Sequence, residues 1–219
     1  MTLEAGGVTT PLIEVRAVEL ACRLARGEHE TALAAVDWLT EAARKSGAAE
    51  MVILGLAPAA SALVAERPAR ASGLLNELDE AVGTRETIYY PRQLAGMVRT
   101  ALVAGDRAVA ERLCAGVEPR YPLHQHALSS ARAELAENAG EHEEAARLYS
   151  QAAAGWHEFG NVPERAYSLL GEGRCVRALG GPYAEEPLRA ARDLFASMGY
   201  VPALRETESF LEGTAAPTS

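Results

Sequence analysis

Gly27-Glu28-His29-Glu30-Thr31-Ala32 and Gly140-Glu141-His142-Glu143-Glu144-Ala145 are two versions of one stretch, each set between alanine-rich helical patterns. A helix that stops at a glycine and restarts on an acidic first turn predicts a helix-turn-helix unit, and its recurrence marks a repeat. The same punctuation stands at Gly105-Asp106-Arg107-Ala108-Val109-Ala110 and, in altered form, at Gly180-Gly181-Pro182, while an Arg67-Pro68 break replaces it between the first two. These marks fall at intervals of roughly 35 to 40 residues, the range of helical-pair repeats. The expected organisation is therefore a flexible lead over 1–10, five pairs at 11–47, 48–86, 87–120, 121–161 and 162–200, and a half-unit from Pro202 to Glu212. These form one continuous domain over 11–212, and the small, polar residues 213–219 make a disordered tail.

Composition points the same way. About one residue in five is alanine and aromatics are 5% of the chain, which favours helix and close helix-helix approach and supplies no runs of strand formers. The fold class expected is all-α, with no sheet. A net charge of −9 works against direct nucleic-acid binding, which needs clustered positive charge, and suits a soluble surface. Lys45 is the sole lysine beside twenty arginines, a bias that high-GC coding explains together with the abundance of Ala and Gly. Met1 to Pro11 has no basic patch followed by an apolar core, and no apolar run is long enough to cross a bilayer. A cytoplasmic location with no membrane contact is expected. Cys22, Cys114 and Cys175, odd in number and far apart within helical patterns, read as buried thiols.

Periodicity defines the faces. Ala145, Leu148, Tyr149, Ala152, Trp156 and Phe159 recur at three- and four-residue steps and predict the core face of a helix from Glu141 to Phe159, with its partner helix running from Leu123 to Asn138. Glu141, Glu143 and Glu144 suit the positive end of the helix dipole, and Gly160-Asn161 tolerates the left-handed closure. In the fifth pair Pro163-Glu164 opens a helix whose Tyr167, Leu170, Arg174 and Ala178 share a side, and Leu188, Ala191, Leu194, Phe195 and Met198 face them. The last helix carries Leu204, Phe210 and Leu211, with Arg205, Glu206 and Glu208 on its wet side, the composition of a cap over an exposed core end.

Three of the turn glycines keep a five-residue step to an alanine, Gly27 to Ala32, Gly105 to Ala110 and Gly140 to Ala145, and Gly173 and Gly180 keep a seven-residue step, with Ala133 at the corresponding place in the fourth unit. In these steps the chain resembles the tetratricopeptide repeat (TPR). It departs from that family where Arg16, Leu94, Ser129 and Leu169 replace a large aromatic early in the first helix, and where the second unit lacks the glycine. The resemblance implies a right-handed α-solenoid of about five antiparallel helical hairpins with a carboxyl-terminal capping helix. The segment Leu169-Leu170-Gly171-Glu172-Gly173-Arg174, with Leu188 to Phe195 and Met198-Gly199, is also similar to the helical tails of bacterial LuxR-type regulators and ATPase-linked nucleotide cyclases. Such a likeness implies a scaffold or sensor part of a signalling or transcription-regulating system.

No catalytic constellation stands out. The phosphate loop with its Gly-Lys-Ser/Thr ending is absent, and Gly171-Glu172-Gly173 follows a helical pattern and lacks the third glycine of a dinucleotide site. His29 and His142 sit beside glutamates, and His124 and His126, two apart, point to different sides of a helix, so no histidine pair has zinc-protease spacing. No Gly-x-Ser-x-Gly elbow occurs. The reading is non-enzymatic, with no cofactor and no metal.

If the tetratricopeptide resemblance holds, the first helices line a concave groove, and the register from the turn glycines places Arg92, Arg99, Ser130, Glu134, Asn138, Tyr167, Arg174 and Arg177 along it. Four arginines on an acidic protein reverse the local charge, and a planar guanidinium binds carboxylates two-pronged, so a protein or peptide partner with an acidic segment is expected. Equally, these arginines pair internally with Glu134, Glu137 and Glu172. An alternative of another class is a small-molecule receptor or enzyme with a pocket between helices, using Tyr89, Tyr90, His124, His126 and Trp156. Finally, Leu12, Ile13, Val15, Val18, Leu20 and Leu24 are too many apolar residues for one partner helix, which predicts a homodimer through the amino-terminal helices.

Overall fold

Alanine-rich, proline-punctuated segments fold into eleven helices in a computed structural model that describes residues 10–212. They are α1 (Thr10–Ala25), α2 (His29–Ser46), α3 (Ala49–Leu63), α4 (Pro68–Glu80), α5 (Tyr89–Val103), α6 (Arg107–Cys114), α7 (Pro122–Asn138), α8 (His142–Phe159), α9 (Val162–Ala178), α10 (Glu185–Met198) and α11 (Val201–Glu212). The described residues form no strand. Each of the five expected intervals holds two helices, and α11 fills the half-unit. The expected flexible lead, apart from Thr10, and the tail over 213–219 lie outside the described residues.

The helix ends follow local chemistry. Gly140, at φ +79°, takes the left-handed conformation that a side chain rarely adopts, and the following Glu141 N–H reaches back to the Ala136 carbonyl at 2.9 Å. The same six-residue closure recurs from Glu28 to Arg23, Asp106 to Ala101 and Gly181 to Val176, each at 2.9 Å. It falls at the marks chosen from sequence. Asp106 and Asn161 cap the next helices by accepting the Val109 and Glu164 N–H groups, and Pro68, Pro122 and Pro163 occupy first turns where the missing N–H costs no hydrogen bond.

The chain divides into two compact units, the first holding 10–24 and 28–115, the second 25–27 and 116–212. In the first, α3 packs on α2, α4 and α5, and α6 on α4 and α5. Gly55 marks the α2–α3 crossing, where an added Cβ would lie 2.4 Å from the Ala43 Cβ. Only a residue without a side chain allows that approach. Residues 81–88 are pinned by Thr84, whose hydroxyl donates to the Leu78 and Ala81 carbonyls, and by Arg85, which reaches Asp79 and the Arg112 and Ala115 carbonyls.

In the second unit α7, α8, α9, α10 and α11 each pack on the next. Ala133, Ala136, Ala145, Tyr149 and Cys175 make one core, and Ala166, Leu170, Leu188, Ala191, Phe195 and Ala203 the other. An added Cβ at Gly173 would meet Leu188 at 2.5 Å, and one at Gly171 would meet the Tyr149 ring at 2.4 Å.

Contacts between alternate helices carry a period. Arg44–Glu77 joins α2 to α4 across 33 residues, Ser72–Asp106 joins α4 to α6 across 34, Ser61–Thr100 joins α3 to α5 across 39, and Arg174–Glu137 joins α9 to α7 across 37. Arg174–Glu206 then joins α9 to α11 across 32. Side chains thus join alternate helices within each unit at separations of 32 to 39 residues.

Three expectations are corrected. Phe159 ends the α8 stripe half-exposed, and Ala178 is exposed at the end of α9; each is the last residue of its helix, where one side of the stripe gives way to the turn. Of the three cysteines only Cys175 is buried; Cys22 is exposed and Cys114 half-buried, and all three are free thiols.

Candidate functional site

The eight residues carried from the repeat register fall in both units. Arg92, exposed, and Arg99, partly exposed, lie on α5 of the first. The other six lie on α7 and α9 of the second. Ser130 and Glu134 are inside it, at 1% and 7% exposure, and Asn138 is exposed at the end of α7. Tyr167 packs edge-on against Phe195, ring centroids 5.0 Å apart.

Ser130 is held by its surroundings. Trp156 Nε1 donates to its hydroxyl at 2.8 Å, and the Ser168 hydroxyl lies 3.4 Å away. A buried indole N–H needs an acceptor, and this serine supplies it.

Arg174 is the centre of the site. Its Nε and Nη2 donate to the two oxygens of Glu137, both at 2.8 Å, and its Nη1 donates to Glu206 on α11 at 2.9 Å. Tyr149 on α8 donates its hydroxyl to the same Glu137 at 2.7 Å. One turn further along α9, Arg177 donates to the backbone carbonyl of Phe210, again on α11. Four helices thus converge on one guanidinium that grips two carboxylates.

The electrostatics follow from that enclosure. Burial opposes the charge on Arg174, yet the hydrogen bonds and negative charge of Glu137 prevail and hold its pKa above the ordinary arginine value. Burial, reinforced by Glu134 and Glu137, raises the Tyr149 phenol far above its usual range, so it remains a hydrogen-bond donor. Burial and then the Glu137 charge push the Cys175 thiol up to about 12. Burial raises the Glu172 carboxyl above the usual glutamate value.

From sequence, the arginines could equally face a partner or pair internally. Arg174 pairs internally with Glu137, one of the three carboxylates named for that role. Glu206, expected on the wet side of the last helix, is exposed there and also reaches Arg174 on α9. Its signal lay 32 residues from Arg174, close to the repeat interval, and the local helical pattern of α11 does not carry it.

The side chains named for a small-molecule pocket are divided too. Tyr89 and Tyr90 belong to the first unit, where the Tyr90 hydroxyl donates to the Leu113 carbonyl at 2.8 Å. His124, His126 and Trp156 belong to the second. There the His126 ring packs against both Trp156 and Phe159, with centroids 5.4 and 6.1 Å away, and only a glycine at 155 leaves room for it. Among the described residues no group of three or more His, Cys, Asp or Glu is placed to hold a metal ion, and no helix is long and apolar enough to cross a membrane. Compared with protein families, curated proteins and solved structures, the chain matches none.

Proposed function

We propose that this chain is a non-enzymatic binding module built as a tetratricopeptide-like array of helical hairpins, which recognises a carboxylate-bearing segment of a protein partner as a scaffold or sensor part of a bacterial regulatory system. The contacts between alternate helices at separations of 32 to 39 residues support the array, since stacked helical pairs set a helix against its counterpart about one repeat length along the chain. The buried alanines five residues beyond the turn glycines, Ala32, Ala110 and Ala145, each fully enclosed, support it as well.

One observation carries the binding chemistry. Arg174 meets Glu137 with the planar, two-pronged geometry that guanidinium groups use for carboxylates, and it takes a second carboxylate, from Glu206, at the surface of the unit. Glu206 remains 47% exposed at the side chain, so that second position is open to water, and a partner carboxylate fits the same chemistry. Val15 and Val18, both 62% exposed on α1, support a homodimer through the amino-terminal helices as a further contact.

A thermal-shift screen of the intact protein tests the reading. Acidic helical peptides are expected to raise the melting midpoint while common metabolites leave it unchanged. If metabolites raise it and peptides do not, the chain is a small-molecule receptor and the module reading fails.

A further inference from the structure

We infer that α11 sits in the partner's place. The surface of α9 and α10 that α11 covers is a docking site for an acidic amphipathic helix of another protein, and α11 occupies it as an internal competitor. This rests on the carboxylate-binding reading above.

The geometry has two rungs. Arg174 and Arg177 are three residues apart on α9, and the groups they hold, the Glu206 carboxylate and the Phe210 carbonyl, are four residues apart on α11. Both spacings are one helical turn, so two successive turns of one helix grip two successive turns of the other. Beneath the rungs Ala203 enters the core around Phe195, and Leu204, Phe210 and Leu211 lie against it only partly buried.

The seating is correspondingly light. Ala203 and Thr207 are the buried residues of α11, and Thr207 directs its hydroxyl to the Ala203 carbonyl within its own helix. A helix whose buried residues are one alanine and one threonine, held otherwise by the partly buried Val201, Leu204, Phe210 and Leu211 and by the two arginine rungs, belongs to the part of a fold that opens first. Its outer charges are predominantly acidic, with Glu206, Glu208 and Glu212 exposed beside Arg205. The occupant that replaces it carries a carboxylate one turn ahead of a large apolar residue.

Hydrogen exchange of the intact protein reads the release directly. The amides of α11 are expected to exchange at least about 100-fold faster than those of α9 and α10, through a local opening. Exchange of all three helices at one rate overturns the inference, because α11 then leaves only when the unit unfolds.

A second measurement uses a fluorescent peptide with the sequence of residues 200–212 and a copy in which Glu206 is Gln. Against a chain loosened by Leu204→Ala and Phe210→Ala, the carboxylate peptide is expected to bind at least about tenfold more tightly than to the intact chain, where α11 fills the site, and more tightly than its Gln copy. Arg177→Ala in the loosened chain is expected to weaken it further. Equal affinity for both peptides overturns the inference, as does a concentration-dependent dimer of the intact chain that exchanges α11 between copies. If α11 does not open and acidic peptides still raise the midpoint of the intact protein, the carboxylate-binding reading stands and only the competition by α11 fails.

Discussion

Arg174 of α9 closes a two-pronged ion pair on Glu137 of α7, with Nε–Oε1 and Nη2–Oε2 both at 2.8 Å. About a fifth of each side chain remains exposed, so the pair is enclosed without being dry. Removing one partner of a fully buried pair costs about 3–5 kcal/mol, because the other charge is left uncompensated. With that much water access Arg174→Ala is expected to cost about 2–3 kcal/mol, at or just below the lower end of that range. Urea unfolding of Arg174→Ala, Glu137→Ala and the double variant checks this. The double variant is expected to lose less than the sum of the two single losses, and strict additivity would show that the pair does not couple.

Glycine positions divide by their surroundings. Gly173→Ala places a Cβ 2.5 Å from Leu188 and 3.3 Å from the Ala184 carbonyl, and overpacking of this kind costs about 1–3 kcal/mol. Gly96 lies inside α5, where an added methyl group would find nothing within 4 Å, so Gly96→Ala is expected to stabilise by about 0.5–1 kcal/mol through helix propensity alone. Thermal melts of the two variants should move in opposite directions.

Alkaline pH acts on the enclosed acids. The folded state holds the Cys175 proton up to about pH 12, whereas the unfolded thiol releases it near 9. Above pH 9 the unfolded state therefore binds fewer protons than the folded one, and stability falls as pH rises across that window. The raised Tyr149 and Tyr90 phenols act in the same sense above about pH 10. Melting midpoints measured from about pH 8 to 11 are expected to decline, and Cys175→Ala to remove the earliest part of the decline. Thiol labelling at about pH 8 gives a separate check, with exposed Cys22 reacting first and Cys175 only on unfolding.

Asp106 links two elements, capping α6 through the Val109 N–H at 3.1 Å and accepting the Ser72 hydroxyl of α4. The Ser72 bond, then the Val109 N–H, holds its pKa below the usual aspartate value. Its stabilisation is present above about pH 4 and is lost as pH falls through the lowered folded value. Asp106→Ala is expected to cost about 1 kcal/mol at neutral pH, with Asp106→Asn milder because the amide oxygen still caps. Urea midpoints at about pH 7 and pH 3 check both the size and the pH dependence.

Self-association is read on α1, where Ile13, Ala17 and Leu20 are buried and Val15 and Val18 are exposed. Light scattering at high protein concentration is expected to give a dimer mass that Val18→Glu returns to the monomer. A monomer at every concentration removes the homodimer.

The turns were legible because they depend on single residues. A glycine that can take positive φ, followed by an acidic first turn, fixes a helix end wherever it falls, and the alanine five residues on is buried at Ala32, Ala110 and Ala145. Side-chain partners were less legible. Phe159 and Ala178 satisfied the periodicity of a core face, but each is the last residue of its helix, where periodicity does not guarantee cover. Glu206 is exposed as its place on α11 suggested, but its pairing was not legible because its partner Arg174 lies on another helix. The clamp of Arg85 on the Arg112 and Ala115 carbonyls has the same cause, since residues 81–88 carry no pattern that names a contact 27 or 30 residues away.

The most direct test of carboxylate recognition is the affinity of the intact protein for an acidic helical peptide and for its amide counterpart, measured by calorimetry at low and physiological salt. Recognition through Arg174 and Arg177 predicts tighter binding of the carboxylate peptide, weakening as salt rises because exposed charges are screened over about 8–10 Å at physiological ionic strength. Equal binding of the two peptides at both salt concentrations would contradict it.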